Sequence, residues 1–216
     1  MRVRMYVPKQ FEEHRVEVLH RFIGDHPFGS MVTRTADGLD ANHLPFEVDP
    51  EPAPFGTLRG HVARANPVWR EFDPEVPALV IFRGPDAYVS PSWYPSKADA
   101  GKAVPTWNYA VVHAHGPVRV IEDRQWLRSF LERLTDRHEA GRDVPWAMSD
   151  APEEFIEGLL NAIVGIEIPI TRLVGKWKAS QNRPAPDRSG VIDGLSAEGG
   201  VTNAMAELVR ERSEPG

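Results

Sequence analysis

Val104-Pro105-Thr106-Trp107-Asn108-Tyr109-Ala110-Val111-Val112-His113 is the most distinctive stretch of this chain and indicates a β-rich fold. Its aromatic and β-branched residues favour a strand, which we predict to run from Trp107 to Ile121 with an interruption at Gly116-Pro117. Side chains alternate along a strand. One face would therefore carry Trp107, Tyr109, Val111 and His113, and the other Thr106, Asn108, Ala110 and Val112.

Further strands are predicted on both sides of this segment. Residues 29–33 and 39–48 fit a hairpin around Asp37-Gly38, and residues 57–62 fit a separate strand. Residues 78–82 and 87–90 fit a second hairpin joined by Gly84-Pro85. A last strand is predicted over residues 164–170, with a continuation through residues 173–177. About six or seven strands favour an antiparallel barrel.

Helices are predicted around these strands. Apolar residues recur at helical spacing from Phe11 to Ile23, from Trp126 to Leu134 and after Pro152. Shorter helices fit residues 67–72 and 201–209, whereas residues 184–200 are rich in Gly, Pro and Asp and predict a loop. The predicted fold class is mainly β with peripheral helices (α+β). Residues 1–183 would form the main domain, and residues 184–216 a C-terminal loop and short helix.

Composition narrows the functional classes. The 216 residues include no cysteine, which excludes disulfides, thiolate metal sites and cysteine nucleophiles. The formal net charge of −6 argues against non-specific binding of nucleic acid, which depends on Lys and Arg. No run approaches the roughly 20 apolar residues of a membrane span, and the N-terminus lacks an apolar signal core. We therefore expect a cytoplasmic protein without a membrane segment.

Motifs of the common nucleotide-binding and hydrolase folds are absent. The chain contains no G-x-G-x-x-G, no G-x-x-x-x-G-K-[ST] and no G-x-S-x-G. Candidate chemistry therefore rests on polar and aromatic side chains near the predicted strand ends.

Residues 60–67 pass from a predicted strand into a predicted helix and contain His61, Arg64 and Asn66. Backbone N–H groups at a helix start and the planar guanidinium of arginine suit a phosphate. The same residues also permit a structural interpretation, in which Arg64 pairs with an acid and Asn66 caps the helix. The sequence leaves both interpretations open.

Three other segments offer groups to a ligand. Asn42, His43 and Leu44 follow the first hairpin turn, where plain strand packing explains them equally well. Residues 106–109 combine two aromatic rings with polar partners, which suits either a planar ligand or a dimer interface. Residues 176–183 are locally basic, which suits either attraction of an anion or a solvated strand end.

His113 and His115 would point to the same side of a strand, where two imidazoles can hold a metal. A metal site of the cupin type would need a third histidine and a suitably spaced acid. Glu122 lies farther from His115 than that spacing allows. We therefore predict no metal site and interpret the two histidines as hydrogen-bonded residues.

Taken together, the chain resembles the PaiB family, whose members are described as FMN-binding negative transcriptional regulators. The resemblance covers nearly the whole chain in the expected order. It rests on Met5-Tyr6-Val7-Pro8 with Phe11, His26-Pro27-Phe28-Gly29, His43-Leu44-Pro45, Gly60-His61 with Asn66-Pro67, Ser90-Pro91-Ser92-Trp93-Tyr94, Val104 to Tyr109 with Val112-His113, and Ser180-Gln181-Asn182-Arg183. Residues 95–103 depart from it, because this stretch is longer than the family pattern.

The resemblance implies a split β-barrel like that of pyridoxamine-phosphate oxidases, forming a homodimer with FMN between subunits. It places His61, Arg64 and Asn66 near the FMN phosphate, and Asn42, His43 and Leu44 on the adjoining strand. Met31 and Val32 would offer backbone to the flavin ring. The remaining implied FMN-binding residues are Trp107, Asn108 and Tyr109 from the partner chain, and Lys176, Gln181 and Arg183.

Three functions are compatible with this resemblance. The first is an FMN-binding protein with flavin-dependent oxidoreductase activity, in which the flavin carries the redox chemistry. The second is a regulator of transcription that acts indirectly, because the negative charge and the lack of a basic recognition helix disfavour direct DNA binding. The third is a haem-binding or haem-handling protein, since related split barrels bind haem.

Overall fold

The computed structural model describes residues 5–101 and 103–213. In this part of the chain there are ten strands, which are β1 (Glu12–Glu13), β2 (Phe28–Thr35), β3 (Gly38–Pro45), β4 (Glu47–Asp49), β5 (Thr57–Ala63), β6 (Ala78–Val89), β7 (Thr106–Gly116), β8 (Arg119–Ile121), β9 (Ile163–Pro169) and β10 (Arg172–Lys178). The same residues form seven α-helices, which are α1 (Val16–Asp25), α2 (Val68–Glu71), α3 (Ser96–Ala100), α4 (Arg124–Glu139), α5 (Glu153–Asn161), α6 (Ala185–Glu198) and α7 (Asn203–Glu211).

The strands form two sheets. The first has six strands in the order β1-β10-β7-β6-β2-β3, and the second has four in the order β4-β5-β9-β8. In the first sheet, β2 and β3 form the predicted antiparallel hairpin, with Phe28 opposite Pro45 and Thr35 opposite Gly38. In the second sheet, β5 and β9 pair antiparallel along the full length of β5.

Contacts divide the described residues into two compact units. Unit 1 contains residues 5–19, 83–101, 103–112 and 174–213, and unit 2 contains residues 20–82 and 113–173. Strands β6, β7 and β10 each contribute residues to both units. Neither unit is therefore a continuous stretch of sequence.

The core of unit 2 depends on the alternation of side chains along β5. Leu58 and Val62 are buried on the same face as Gly60. A Cβ added to Gly60 would lie 3.0 Å from Leu44 Cδ1, so the lack of a side chain lets β5 approach β3. A second apolar cluster joins α4 to α5 through Leu127, Ile156 and Leu160.

The core of unit 1 joins β6 to the two C-terminal helices. Val89 packs in one cluster with Val191 and Leu195 of α6 and with Met205 and Val209 of α7. The helix α6 lies very close to Trp93, because a Cβ added to Gly194 would be 2.3 Å from the indole ring. The small residues of α6 are therefore required by packing.

Most predicted elements are confirmed. The mainly β fold with peripheral helices, of the split-barrel class, is present. The strand that begins near Trp107 is β7, and it ends at Gly116 before Pro117, as predicted. The first helix begins at Val16 and not at Phe11, which belongs to a 3-10 turn. The predicted strand continuation through residues 173–177 is instead a separate strand, β10, in the other sheet.

The predicted hairpin at Gly84-Pro85 is wrong, because residues 78–89 form one continuous strand. Gly84 does not adopt the positive φ that a reversing turn would require of it. The φ that proline imposes is compatible with extended backbone, and a proline is tolerated in a strand where no ladder hydrogen bond is needed.

The predicted loop over residues 184–200 is also wrong, because residues 185–198 form α6. Gly, Pro and Asp lower intrinsic helix propensity, and this weakness suggested a loop. Packing of Val191 and Leu195 in the core of unit 1 outweighs it. The last predicted helix is confirmed as α7. The domain boundary at residue 183 stays a prediction.

The length and polarity of the helices decide whether one of them could span a membrane. Across residues 5–101 and 103–213, every helix is too short or too polar to cross a bilayer.

A buried carboxylate in unit 1 is held by two arginines. Glu13 of β1 is 5% exposed and accepts hydrogen bonds from Arg15 Nη2 at 2.8 Å and from Arg212 Nη1 at 2.8 Å. Burial raises the pKa of Glu13, but the hydrogen bonds from Arg15 and Arg212 outweigh it and lower the pKa from 4.5 to about 2. The carboxylate therefore ties the N-terminal strand to the end of α7.

We expect Glu13→Gln to lower the free energy of unfolding by about 2 kcal/mol at neutral pH, because charged hydrogen bonds are lost. In the wild type this contribution should be complete above pH 4.5 and disappear as the pH falls towards 2, since the folded pKa is the lower one. Urea unfolding at several pH values measures both effects. Glu17→Gln, at an exposed position nearby, is the control, and an equal loss in both variants would contradict the assignment.

Candidate functional site

The predicted FMN-binding residues divide between the two units. Unit 2 contains Met31, Val32, Asn42, His43, Leu44, His61, Arg64 and Asn66. Unit 1 contains Trp107, Asn108, Tyr109, Lys176, Gln181 and Arg183.

In unit 2, the side chain of Arg64 is held by the protein itself. Its guanidinium forms an ion pair with Glu122. It also donates hydrogen bonds to the carbonyl oxygens of Asn161, at 2.9 Å, and Ile163, at 3.2 Å. These contacts fix the loop after β5 to the end of α5. They match the structural interpretation of Arg64, in which the guanidinium pairs with an acid.

Asn66 also has internal partners. Its Oδ1 accepts a hydrogen bond from the backbone N–H of Val68, at 2.9 Å, at the start of α2. Its Nδ2 donates to Asn42 Oδ1 at 2.7 Å, and Asn42 in turn donates to Asp40 at 2.8 Å. The structure therefore brings together Asn42 and Asn66, which are separated in sequence. The two amides bind each other, and their remaining bonds go to the backbone of Val68 and to the side chain of Asp40.

Leu44 of β3 packs against one face of β5, and His61 of β5 points to the other face. Leu44 packs beside Gly60, as described above, whereas the ring of His61 lies edge-on to Phe130 of α4, with ring centroids 5.9 Å apart. Burial lowers the pKa of His61. Its Nδ1 is buried and has no hydrogen-bond partner among the described residues.

The other unit 2 residues lie along the β2–β3 hairpin. Met31 is buried and stands opposite Asn42, and Val32 stands opposite Ala41. His43 Nδ1 shares a hydrogen bond with Ser30 Oγ at 2.9 Å. This hairpin therefore places Met31 and Asn42 at one level of the sheet.

Unit 1 brings together three cations near the end of β10. Lys176 and Lys178 occur two positions apart on this strand, and Arg183 follows in the next turn. Burial lowers the pKa of Lys178, and the positive charges of Lys176 and Arg183 lower it further. Lys176 and Arg183 are therefore both close enough to act on the charge of Lys178. We call Lys176, Lys178 and Arg183 the cation cluster.

The partners of the cation cluster are neutral. Lys176 donates to the carbonyl oxygen of Tyr6 at 2.9 Å, and Lys178 donates to Thr106 Oγ1 and, at 2.8 Å, to the carbonyl oxygen of Trp107. Among residues 5–101 and 103–213, no carboxylate forms an ion pair with any of the three. The cluster therefore carries positive charge that the described residues leave uncompensated.

Aromatic rings flank the cation cluster. Lys176 Nζ lies 5.2 Å from the centroid of Tyr109 and 5.7 Å from that of Tyr6. Arg183 Cζ lies 4.6 Å from the centroid of Tyr94. These distances are in the range of cation–π attraction, which partly offsets the repulsion between the charges.

Asn108 lies on the buried face of β7, and Trp107 lies on the opposite face, as strand alternation predicts for neighbouring residues. Asn108 is 1% exposed, and its Nδ2 donates to Ser180 Oγ at 2.9 Å. Its Oδ1 is buried and has no partner among the described residues. Trp107, on the other face, is 51% exposed and donates from Nε1 to Asp86 at 2.9 Å.

Ser180 and Gln181 shape the turn after β10. Ser180 has a φ of 62°, which is uncommon for a residue with a side chain. Gln181 closes the turn, since its Oε1 accepts from the N–H of Ala179 at 2.7 Å and its Nε2 donates to the carbonyl of Trp177 at 2.6 Å. The predicted ligand residue Gln181 therefore positions the backbone that carries Arg183.

Sequence reasoning missed two residues of this site, Lys178 and Ser180. Lys178 was detectable, because a spacing of two from Lys176 places both lysines on one face of a strand. Ser180 was not, because neither its left-handed backbone nor its contact with Asn108 leaves a sequence pattern. The two histidines His113 and His115 are adjacent, with ring centroids 6.4 Å apart. No group of three metal-ligating side chains occurs within the described ranges.

This fold and these side chains define a flavin-binding protein of the split-barrel class. The chain belongs to the family described as "Putative FMN-binding domain", whose model matches residues 5–172. The predicted membership of the PaiB family is confirmed.

Two relatives and one solved structure illustrate the similarity. The protein AN0679 of Emericella nidulans, described as uncharacterized, is 36% identical over 97% of this chain and 98% of its own length. The Bacillus subtilis protein named "Protease synthase and sporulation protein PAI 2" is 34% identical over 96% of this chain and 98% of its own length. The FAD and haem binding protein of Mycobacterium smegmatis has a TM-score of 0.55 at 18% identity, and covers 77% of this chain and 73% of that one.

The cofactor of this family is FMN, and the donor set of unit 1 fits it. FMN combines a phosphate with a planar ring that has both donors and acceptors. The cation cluster supplies uncompensated positive charge, Tyr6 and Tyr109 supply aromatic surface, and Asn108 supplies a free acceptor. Unit 2 offers fewer unused groups, because Arg64 and Asn66 already have internal partners.

We expect Ser180→Ala to lower the free energy of unfolding by about 1 to 3 kcal/mol, because the buried amide of Asn108 loses its acceptor. The loss is measured by urea unfolding. Ser196→Ala, at an exposed serine of α6 in the same unit, is the control. In the double variant Asn108→Ala/Ser180→Ala the two losses should not add, and additive losses would rule out the coupling.

Proposed function

We propose that this protein is an FMN-dependent redox protein that holds the cofactor through the cation cluster of unit 1. The observation that carries this proposal is the set of three neighbouring cations that have only neutral partners and no carboxylate ion pair among the described residues. When bound, FMN supplies the electron-transfer chemistry. The role of this chain is to bind and orient the cofactor.

The chemistry of each residue assigns it a part in binding. Lys178 and Arg183 would neutralise the phosphate, Arg183 with a planar set of donors and Lys178 as a point charge. Lys176 lies between the rings of Tyr6 and Tyr109, so it would place positive charge beside a planar ligand. Asn108 would accept a hydrogen bond, and Trp107 and Tyr109 would supply aromatic surface.

The residues of unit 2 form a separate part of the proposal. Met31 and Val32 would offer backbone groups. The other contacts implied by the family would come from Asn42, His43, Leu44, His61, Arg64 and Asn66. For Arg64 such a contact requires release from Glu122. Breaking this ion pair costs free energy, whereas no ion pair between described residues has to be broken in the cation cluster, so we expect unit 2 to contribute less to the free energy of FMN binding.

We expect Lys178→Gln and Arg183→Gln each to weaken FMN binding by about tenfold or more, since each removes a charged hydrogen bond worth roughly 1.5 to 3 kcal/mol. Binding is measured by quenching of flavin fluorescence during titration of the apoprotein. Lys97→Gln, at an exposed lysine of unit 1, should leave the affinity unchanged. If only Arg64→Gln and Asn66→Ala weaken binding, the phosphate assignment is wrong.

We expect FMN binding to depend on pH, because Lys178 belongs to the cation cluster. The pKa of Lys178 is below its ordinary value of 10.5, and its charged form attracts the phosphate. Affinity should therefore fall as the pH rises through the lowered pKa of Lys178, and Lys178→Arg should move this loss to higher pH. An unchanged alkaline profile in the arginine variant would contradict the role of Lys178.

A regulatory role is the second candidate function, and the net charge of −6 favours an indirect one. The name of the Bacillus subtilis relative links that protein to protease synthesis and sporulation. In this chain the regulatory signal would be the redox state of the flavin, and a partner would bind one redox state in preference to the other. Salt-sensitive, sequence-specific retention of DNA in a mobility-shift assay would instead establish direct binding.

Haem is a less suitable ligand than FMN for the described residues. The solved Mycobacterium smegmatis protein binds FAD and haem. In this chain, however, Arg172 Nη2 lies 3.1 Å from Nδ1 and 2.6 Å from Nε2 of His115, and a positive charge so close to the ring disfavours coordination of iron by this imidazole. Absorption spectra after separate additions of haem and FMN distinguish the two, and a Soret shift without a flavin change would reverse our choice.

A homodimer in the cytoplasm completes the proposal. Trp107 and Tyr88 are 51% and 47% exposed, and their rings lie edge to face at 6.2 Å, which is typical of an aromatic interface anchor. Sedimentation equilibrium of the wild type and of Trp107→Ala tests the dimer.

A further inference from the structure

A second cationic group occurs in unit 2, at the end of β7 and the start of β10. Arg172 directs Nη2 towards the ring of His115, with distances of 3.1 Å to Nδ1 and 2.6 Å to Nε2. The ring of His113 lies 6.4 Å from that of His115. We call Arg172, His113 and His115 the basic triad.

The backbone fixes the position of the basic triad. The N–H of Thr171 donates to the carbonyl oxygen of His115 at 2.8 Å, and Thr171 Oγ1 donates to the same oxygen at 3.1 Å. Arg172 follows directly in the chain. The guanidinium and the imidazole are therefore held together before any ligand arrives, which reduces the ordering cost of binding.

The electrostatics of the basic triad are unfavourable without an anion. Burial lowers the pKa of His115 to about 4, and Arg172 and His113 contribute further to this effect. Within residues 5–101 and 103–213, no carboxylate forms an ion pair with Arg172. A neighbouring negative charge would oppose the effects of Arg172 and His113 on His115 and would give Arg172 a partner.

We propose that the basic triad is a binding site for a small oxyanion, such as the carboxylate of an organic acid, distinct from the FMN site of unit 1. The guanidinium presents parallel N–H donors that match two carboxylate oxygens, and the imidazole adds a donor in its protonated or suitable tautomeric form. A divalent cation would be repelled by Arg172. The site therefore selects anions.

The experiment follows the imidazole signals of His115 by NMR in the purified full-length protein. Acetate and inorganic phosphate are titrated separately at neutral pH, with ionic strength kept constant by chloride. We expect saturable shifts of the His115 signals with acetate, and a rise in the pKa of His115 at saturating acetate. A stronger response to phosphate would assign the site to phosphate groups and overturn the preference for a carboxylate.

Variants test the role of the guanidinium. Arg172→Gln should raise the half-saturating acetate concentration by about tenfold or more, because a charged bidentate contact is lost. Arg172→Lys keeps the charge but loses the parallel N–H donors of the guanidinium, so its half-saturating acetate concentration should lie between those of the wild type and Arg172→Gln. It also tests the role of Arg172 if the glutamine variant does not fold. Arg119→Gln, at an exposed arginine of the same unit, should bind acetate like the wild type.

Three results would overturn the proposal. The first is the absence of a saturable shift with either anion. The second is an unchanged acetate response in Arg172→Gln with a native spectrum elsewhere. The third is displacement of acetate from the His115 signals by FMN at stoichiometric amounts, because this would assign the triad to the FMN phosphate. Failure of FMN binding in the Lys178 variant leaves the acetate test unaffected, so the two proposals fail independently.

Discussion

The hydrogen bond between Asn108 and Ser180 is the interaction on which the candidate FMN site depends. It joins the buried face of β7 to the turn after β10, and it lies where no water competes for either group. Ser180 holds its left-handed backbone at this point, so the turn has one conformation. Because Arg183 follows directly, the same bond determines where its guanidinium meets Tyr94.

The two units treat their positive charges differently. Arg64 and Arg133 of unit 2 are matched to Glu122 and Glu47, so their charges contribute to the structure of this unit. Lys176, Lys178 and Arg183 of unit 1 interact with neutral oxygens and rings, and the charge of Lys178 is repelled by those of Lys176 and Arg183. Such a repulsion lowers the stability of the folded protein, and binding of an anionic ligand would remove it. The uncompensated charges therefore mark function better than the number of basic residues does.

The sequence predicted most of the fold because the hydrophobic pattern is strong where elements are amphipathic. The alternation along residues 106–113 predicted that Asn108 and Trp107 lie on opposite faces of a strand, and the structure shows that the face of Asn108 is the buried one. The helix at residues 185–198 was missed because its small residues weaken its propensity and its amphipathic pattern. Those residues are there for contact with Trp93, which belongs to a distant part of the sequence.

By itself, the sequence determined the family, the mainly β fold and the segments that carry the polar groups, because these depend on local patterns and on residue identity. Only the tertiary structure decided which polar groups remain available. It paired Arg64 with Glu122, joined Asn42 to Asn66, and left Lys176, Lys178 and Arg183 without a carboxylate among the described residues. The physical reason is that charge compensation depends on distances between groups far apart in the chain, which no local pattern records.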